Sequence, residues 1–261
     1  MKIWIVGLGK CGTSILTYKI AQSMLKPNVF FEISGLNGMN DIDAHKRICL
    51  SDNVVVKNIF YPKALNKIKK IACLYDKKIW IIRDPRDRVL SAFFYEWYHN
   101  PQKKIEDFER VLNLVKQKEQ NPSGLSFFEL YKASKSINDL SNEIRIYDGL
   151  MVNLHKLDSS WFIIKYEDLI NQNDMEINQY LGFKIKKNVV LPQKFKRIAR
   201  TKTFGNWRQW FTPEDVSYFK KVYNPYLEVM GYDKEDWNLV ASEKLDSKTS
   251  SEYMKQLFYT N

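Results

Sequence analysis

Gly7-Leu8-Gly9-Lys10-Cys11-Gly12-Thr13-Ser14 is the stretch from which the rest of the chain is read. The apolar run Ile3-Trp4-Ile5-Val6 before it has the continuous hydrophobicity of a buried strand. Ile15, Leu16, Tyr18, Ile20, Ala21, Met24 and Leu25 after it keep helical spacing. Strand, glycine turn and helix in succession make a phosphate holder, because the N–H groups of the turn and the positive end of the helix face one anion.

The turn reads in more than one way. Gly7, Gly9 and Gly12 have the Gly-x-Gly-x-x-Gly spacing of a dinucleotide-binding turn. Glu32, after the apolar Val29-Phe30-Phe31, supplies the acid such a turn wants about 20 residues further on. Gly7 and Gly12 also have Walker spacing, with Ser14 at the magnesium-ligand position, but Thr13 stands where a Walker loop carries lysine. A third reading takes Lys10 through Ser14 as the unit, with its lysine in front. An ordinary tight strand–helix turn fits as well, and the turn alone does not choose.

The chain has 261 residues, enough for one large domain or two small ones. Its 44% hydrophobic and 14% aromatic content argues for a substantial core and against disorder. The formal charge of +11 suits nucleic acid, an anionic surface or a polyanionic small ligand. No zinc-finger or RNA-stacking signature accompanies it, so nucleic acid is not the expected partner. The run Lys67-Ile68-Lys69-Lys70 reads as a solvated helix face. No apolar run has the length of a membrane span, and the N-terminus lacks a signal-peptide pattern, so a soluble cytoplasmic protein is expected. Cys11, Cys49 and Cys73 are odd in number and scattered, which predicts reduced thiols and no metal site.

Further strands are predicted at 29–33, 54–56, 78–83 and 161–164. Residues 34–52 read mainly as loop; helices are expected over 62–75, 85–98, 166–181 and 213–230. Thr212, Pro213 and Asp215 mark the last helix start. Residues 100–157 carry helical periodicity without strands and read as a helical insertion. The fold class is therefore α/β and three-layered, with a central, mostly parallel sheet and a P-loop-like phosphate-binding turn. One domain over 1–235 and a loosely held tail over 236–261 are expected.

Arg83-Asp84-Pro85-Arg86-Asp87-Arg88 marks a second anion site. Arg83 closes the predicted strand, Asp84 suits the N-cap, Pro85 the first helical position and Asp87 the third position of a capping box. Arg83 then lies on the carboxyl edge of the sheet, where open α/β sheets bind ligands and where the first turn also opens. Its planar fork suits phosphate oxygens. Ser91, two turns into the helix, is placed to reach the same anion. Arg86 and Arg88 read as partners of nearby acids.

Lys10-Cys11-Gly12-Thr13-Ser14, followed by Arg83 and by Ser91 eight residues later, resembles the two nucleotide-binding signatures of the PAPS-dependent sulfotransferases. PAPS is 3′-phosphoadenosine 5′-phosphosulfate. Two later stretches are similar to further family segments. Tyr166-Glu167-Asp168-Leu169 resembles a Tyr-Glu-Asp segment near the adenine, and Phe204-Gly205-Asn206-Trp207 resembles a C-terminal Gly-x-Trp segment. Arg200, five residues before Gly205, falls where cytosolic members contact the 3′-phosphate. Thr201 and Lys202 stand where those members have lysine and glycine, which departs from the pattern. The resemblance runs in order over roughly residues 3–231.

The resemblance implies a sulfuryl transfer from PAPS to a hydroxyl or amine of a small-molecule or glycan acceptor, without a metal. Lys10 would neutralise the leaving 5′-phosphate oxygen. Cys11, Gly12, Thr13 and Ser14 would bind that phosphate. Arg83, Ser91 and Arg200 would hold the 3′-phosphate, Lys202 is a further cofactor-binding candidate, and Tyr166 would lie near adenine. The stretch Val56-Lys57-Asn58-Ile59 lacks the histidine base of many cytosolic members, so Glu32 is the candidate base and Lys57 a second contact to the sulfuryl group. Ile15 stands where cytosolic members stack a tryptophan on adenine, and Trp207 is the candidate replacement, with a core position as its alternative. His45 reads as a loop histidine at the surface, and His99 and His155 have no motif support. A P-loop small-molecule kinase, a dinucleotide-binding oxidoreductase and a non-catalytic binding module are the competing readings.

Overall fold

The computed structural model describes residues 1–33, 41–60, 68–98, 104–135, 140–197 and 200–259. Its strands are β1 (Lys2–Gly7), β2 (Asn28–Phe31), β3 (Val54–Ile59), β4 (Lys77–Ile82) and β5 (Trp161–Lys165). Its helices, in chain order, are α1 (Thr13–Ala21), α2 (Ile42–Ile48), α3 (Ile68–Ala72), α4 (Pro85–Tyr95), α5 (Ile105–Gln120), α6 (Phe127–Lys135) and α7 (Ser141–Leu154). Then come α8 (Tyr166–Asn171), α9 (Met175–Leu181), α10 (Gln193–Lys196), α11 (Trp207–Trp210), α12 (Pro213–Val229) and α13 (Ser251–Tyr259).

The chain forms two compact units. The first takes Met1–Arg83 and Arg145–Lys196, the second Asp84–Ile144 and Arg197–Asn261. The sheet belongs wholly to the first unit. Its order is β2-β3-β1-β4-β5 and every pairing is parallel. The central strands are apolar on both faces because neither face meets water: Ile3 to Val6, Val54 to Val56 and Ile79 to Ile82 are all buried. The connection leaving β1 runs to β2 past β3, while the one leaving β4 runs to β5 on the opposite side. Adjacent strands that send their chains apart leave a crevice at their carboxyl ends. Gly7 and Arg83 stand at those ends.

All five strands lie where their apolar runs predict them. The helices depart from expectation in three places. Residues 42–48, read as loop, form α2, whose N-cap Asp41 accepts the Ala44 N–H at 2.8 Å. The Gly- and Asn-rich stretch 34–40 and the predicted helix start at 62–67 lie outside the described residues. The helix predicted over 166–181 breaks into α8 and α9 at Gln172, which takes a left-handed φ of 58°. The segment after Trp237 is packed: Trp237, Leu245, Tyr253, Met254 and Leu257 are all buried.

The second unit is built on aromatic packing. Phe211 stacks on Phe127 at 5.4 Å and on Phe219 at 4.7 Å, and those two rings also meet at 5.9 Å. Its polar centre is Asp215, in the first turn of α12. Thr212 caps the helix as predicted, and Asp215 completes a capping box with it. The Asp215 carboxylate also accepts the N–H groups of Phe127 and Phe128 at 2.8 and 2.7 Å, which ties the start of α6 to that of α12. Burial raises its pKa, and the backbone donors oppose that rise. Lys118 is buried as well and donates to the carbonyls of Pro122 at 2.8 Å and Leu125 at 2.5 Å. Burial pushes its pKa down to about 8 against the attraction of Asp215. Glu119 accepts from the Ser251 N–H at 2.8 Å and hydroxyl at 3.0 Å, and so fastens the start of α13 to α5.

Asp215→Ala strips the acceptor from several buried N–H groups at once and is expected to cost about 3–5 kcal/mol. Urea denaturation followed by tryptophan fluorescence measures it. A midpoint within error of wild type would show that Asp215 does not anchor α6 to α12.

Candidate functional site

The turn after β1 has the features its sequence predicts. A β carbon on Gly7 would come within 2.6 Å of the Ile81 carbonyl oxygen and 3.0 Å of Thr13, so only glycine lets β1, β4 and α1 close together. Lys10 and Gly12 both take left-handed φ values, 71° and 87°. Such reversals within a few residues turn successive N–H groups to one side. Gly12 is the N-cap of α1 and supplies no capping side chain; the first turn carries no acid. The first bond back is Leu16 N–H to the Gly12 carbonyl at 3.1 Å, so the N–H groups of Thr13, Ser14 and Ile15 have no intrahelical acceptor. Cys11 differs from its neighbours: its side chain is buried, and its N–H bonds the Leu8 carbonyl at 3.2 Å, closing the turn.

Arg83 follows β4 directly and is 5% exposed. Its Nη1 donates to the Lys10 carbonyl at 3.0 Å, and its guanidinium lies 4.2 Å above the Tyr166 ring. Its Nε is buried with no hydrogen-bond partner. A buried donor without an acceptor is costly, and a ligand oxygen is what such a group lacks. Tyr166 opens α8, directly after β5. Its ring edge closes against Gly12, where a β carbon would meet Tyr166 Cδ2 at 2.5 Å. The order β1-β4-β5 thus brings Lys10, Gly12, Arg83 and Tyr166 together from three successive strand ends. One face of Tyr166 is taken by the arginine.

Glu32 and Lys57 also meet. Glu32, just past β2, has a left-handed φ of 49°, unusual for a residue with a side chain. Its Oε1 pairs with Lys57 Nζ, and its Oε2 accepts the Ile59 N–H at 2.9 Å. The Glu32 N–H returns to the Lys57 carbonyl at 2.9 Å. The sequence offers both residues as candidates, but their partnership depends on the β2–β3 register, in which Phe31 stands opposite Lys57.

Ser91, Arg200 and Lys202 belong to the second unit. Ser91 is buried in α4. Arg200 donates to the Thr249 carbonyl at 2.9 Å and lies 4.8 Å from the Phe94 ring; Lys202 is exposed with a φ of 55°. Arg86 pairs with Asp84, and Arg88 with Glu143 at 2.7 Å, as expected of arginines that serve structure. Asp87 has a further role: its carboxylate accepts the N–H groups of Gly205 and of Trp207, the latter at 3.2 Å. The acid of the Arg-Asp-Pro-Arg-Asp run thereby holds the Gly-x-Trp turn, a contact between motifs that spacing does not reveal.

Two expectations are overturned. Trp207 is 1% exposed and packed on Phe211 and Trp237, with Arg86 4.3 Å from its ring. It is a core residue and no adenine platform. His45 is fully buried in α2, 2.6 Å from the Tyr75 hydroxyl, and not at the surface. His155 is exposed, and His99 lies outside the described residues. Among the described residues no three His, Cys, Asp or Glu side chains are grouped to hold a metal ion, and no helix is long and apolar enough to cross a membrane.

Gly7→Ala and Gly12→Ala are expected to disrupt the turn and lower the melting temperature. Gly9→Ala is expected to melt as wild type, because a β carbon there would meet only Ile59 at 4.0 Å. Thermal unfolding followed by circular dichroism reads this. Equal losses in all three variants would contradict the geometry.

No protein-family model matches the chain, and no curated protein matches it. Among solved structures it is similar to the mouse sulfotransferase SULT7A1 complexed with PAP, at 17% identity over 87% of this chain and 83% of that one, with a TM-score of 0.57. A sulfotransferase domain from the curacin biosynthetic pathway aligns at 15% identity over 99% of this chain and 97% of that one, with a TM-score of 0.34. Retinol dehydratase in complex with androsterone and inactive cofactor PAP aligns at 14% identity over 98% and 78%, with a TM-score of 0.38. The last two superpose too loosely to argue from. The first shows that the α/β fold, with its parallel five-stranded sheet, resembles that of a sulfotransferase.

Proposed function

We propose that the protein is a sulfotransferase that moves a sulfuryl group from PAPS to a hydroxyl or amine of a small-molecule or glycan acceptor. The observation that carries the reading is the buried Arg83 guanidinium, with its Nε unpartnered, bonded to the carbonyl of Lys10 beside the uncapped start of α1. That is an anion receptor separate from the turn's own N–H groups. A ligand with two phosphate positions uses both. A dinucleotide oxidoreductase needs no such arginine, and a Walker kinase needs lysine at the position of Thr13. The order of the motifs and the likeness in fold to a sulfotransferase solved with PAP support the same reading.

In this reading the N–H and hydroxyl groups of Gly12, Thr13 and Ser14 bind the 5′-phosphate, and Cys11 shapes the turn. Arg83 binds the 3′-phosphate. Ser91 and Arg200 are assigned to that phosphate, and Lys202 and Tyr166 to the nucleotide, on their places in the motifs. The acceptor's oxygen or nitrogen attacks sulfur in line as the bond from sulfur to the 5′-phosphate oxygen breaks. The acceptor's proton passes to Glu32, and the departing electron pair stays on the phosphate oxygen, where the Lys10 ammonium neutralises it. The bond from Arg83 to the Lys10 carbonyl gives the 3′-phosphate site a physical hold on the backbone of the catalytic lysine.

Adenosine 3′,5′-bisphosphate is expected to bind tightly in calorimetry, with ATP and NADH far weaker. Tight NADH binding with none of the bisphosphate would end the proposal. Lys10→Ala is expected to lower transfer from labelled PAPS by about a hundredfold or more with the fold intact. Undiminished turnover would remove Lys10 from the mechanism. Arg83→Ala is expected to weaken the bisphosphate by about tenfold or more, and adenosine 5′-phosphate far less. Equal loss for both would argue against the 3′-phosphate contact.

A further inference from the structure

We infer that Lys57 is a positioning residue for Glu32 and does not itself contact the sulfuryl group. The inference rests on the sulfotransferase reading of the site and deepens it.

Four features of the sheet unit carry it. The Lys57 side chain is 6% exposed, and its ammonium is paired with Glu32 Oε1. The second carboxylate oxygen is held by the Ile59 N–H, a peptide donor that cannot swing away. The Glu32 N–H bonds the Lys57 carbonyl, so the two residues clasp each other through backbone and side chain alike. Glu32 keeps a left-handed backbone at the end of β2, a conformation that persists only where its surroundings enforce it. The clasp is closed on the lysine and open on the acid, whose side chain is 24% exposed.

An acid that is fixed through both oxygens yet keeps an open face is oriented rather than hidden. Lys57 keeps it aimed, so that Glu32 takes the acceptor's proton as the new bond to sulfur forms. A lysine that instead touched the sulfuryl group would have to draw its buried ammonium away from Glu32, and the Ile59 contact would then have to orient the acid alone.

A double-mutant cycle separates the two roles, with sulfate release from ³⁵S-labelled PAPS, water serving as acceptor. Glu32→Gln is expected to lose about a hundredfold or more. Lys57→Met is expected to lose about tenfold to a hundredfold in kcat, with KM for PAPS and affinity for the bisphosphate unchanged. The double variant is expected to be no slower than Glu32→Gln, because the lysine acts only through the acid. Lys57→Arg, which keeps the charge, is expected to recover most of the rate, and it keeps the test readable if Lys57→Met does not fold.

A second readout needs no donor. In ¹⁵N-lysine NMR the paired Lys57 ammonium is expected as a slowly exchanging signal that disappears in Glu32→Gln. Losses that multiply in the double variant, a fall in bisphosphate affinity in Lys57→Met, or an ammonium signal that survives Glu32→Gln would each overturn this inference while leaving the sulfotransferase reading in place. A wild-type protein that neither binds the bisphosphate nor releases sulfate would overturn both.

Discussion

At Gly7 a β carbon would come within 2.6 Å of the Ile81 carbonyl oxygen, and the geometry of the candidate site follows from that missing carbon. Because β1 and β4 close at this point, the turn after β1 and the arginine after β4 emerge side by side. Arg83 can then reach the Lys10 carbonyl, and Tyr166, delivered by the next strand along, fills the space under the guanidinium and against Gly12. A bulkier residue at Gly7 would part the strands and separate these groups together. The candidate site is thus a property of strand packing as much as of the residues that line it.

The second unit solves a different problem. It has no sheet among its described residues and holds its helices by aromatic stacking and by buried acids that collect backbone donors. Asp215 joins two helix starts, Glu119 fastens α13, and Asp87 holds the Gly205–Trp207 turn. In each case a carboxylate accepts peptide N–H groups that would otherwise be buried without partners. Sequence-distant segments come together this way without needing long apolar surfaces.

How far the sequence foretold this depends on the range of the interaction concerned. The strands were legible because a parallel strand buried on both faces must be apolar at every position, a strictly local signal. The start of α12 at Thr212 and Pro213 was legible for the same reason. The break at Gln172 was not, since no glycine or proline marks it, and α2 hid behind the loop-forming residues that precede it. At the site, Lys10, Gly12 and Arg83 follow from strand ends and spacing and Tyr166 from the resemblance of its segment, and the sheet order brings them together. The Glu32–Lys57 clasp depends on inter-strand register, and the burial of Trp207 and His45 on packing between distant segments. Neither leaves a mark on neighbouring residues.

The three thiols illustrate what the fold does with equivalent chemistry. Cys11 is enclosed within the turn after β1 and Cys49 behind Tyr75, where burial pushes its thiol pKa up. Cys73 alone lies at the surface, its sulfur 3.0 Å from the Lys70 carbonyl. Reactivity of a thiol requires access and a share of thiolate, and only Cys73 has the first. A maleimide dye therefore enters the native chain at a single position, close to the start of β4. The wild-type protein carries its own site for a fluorescent reporter, with no cysteine to remove and the turn after β1 left untouched.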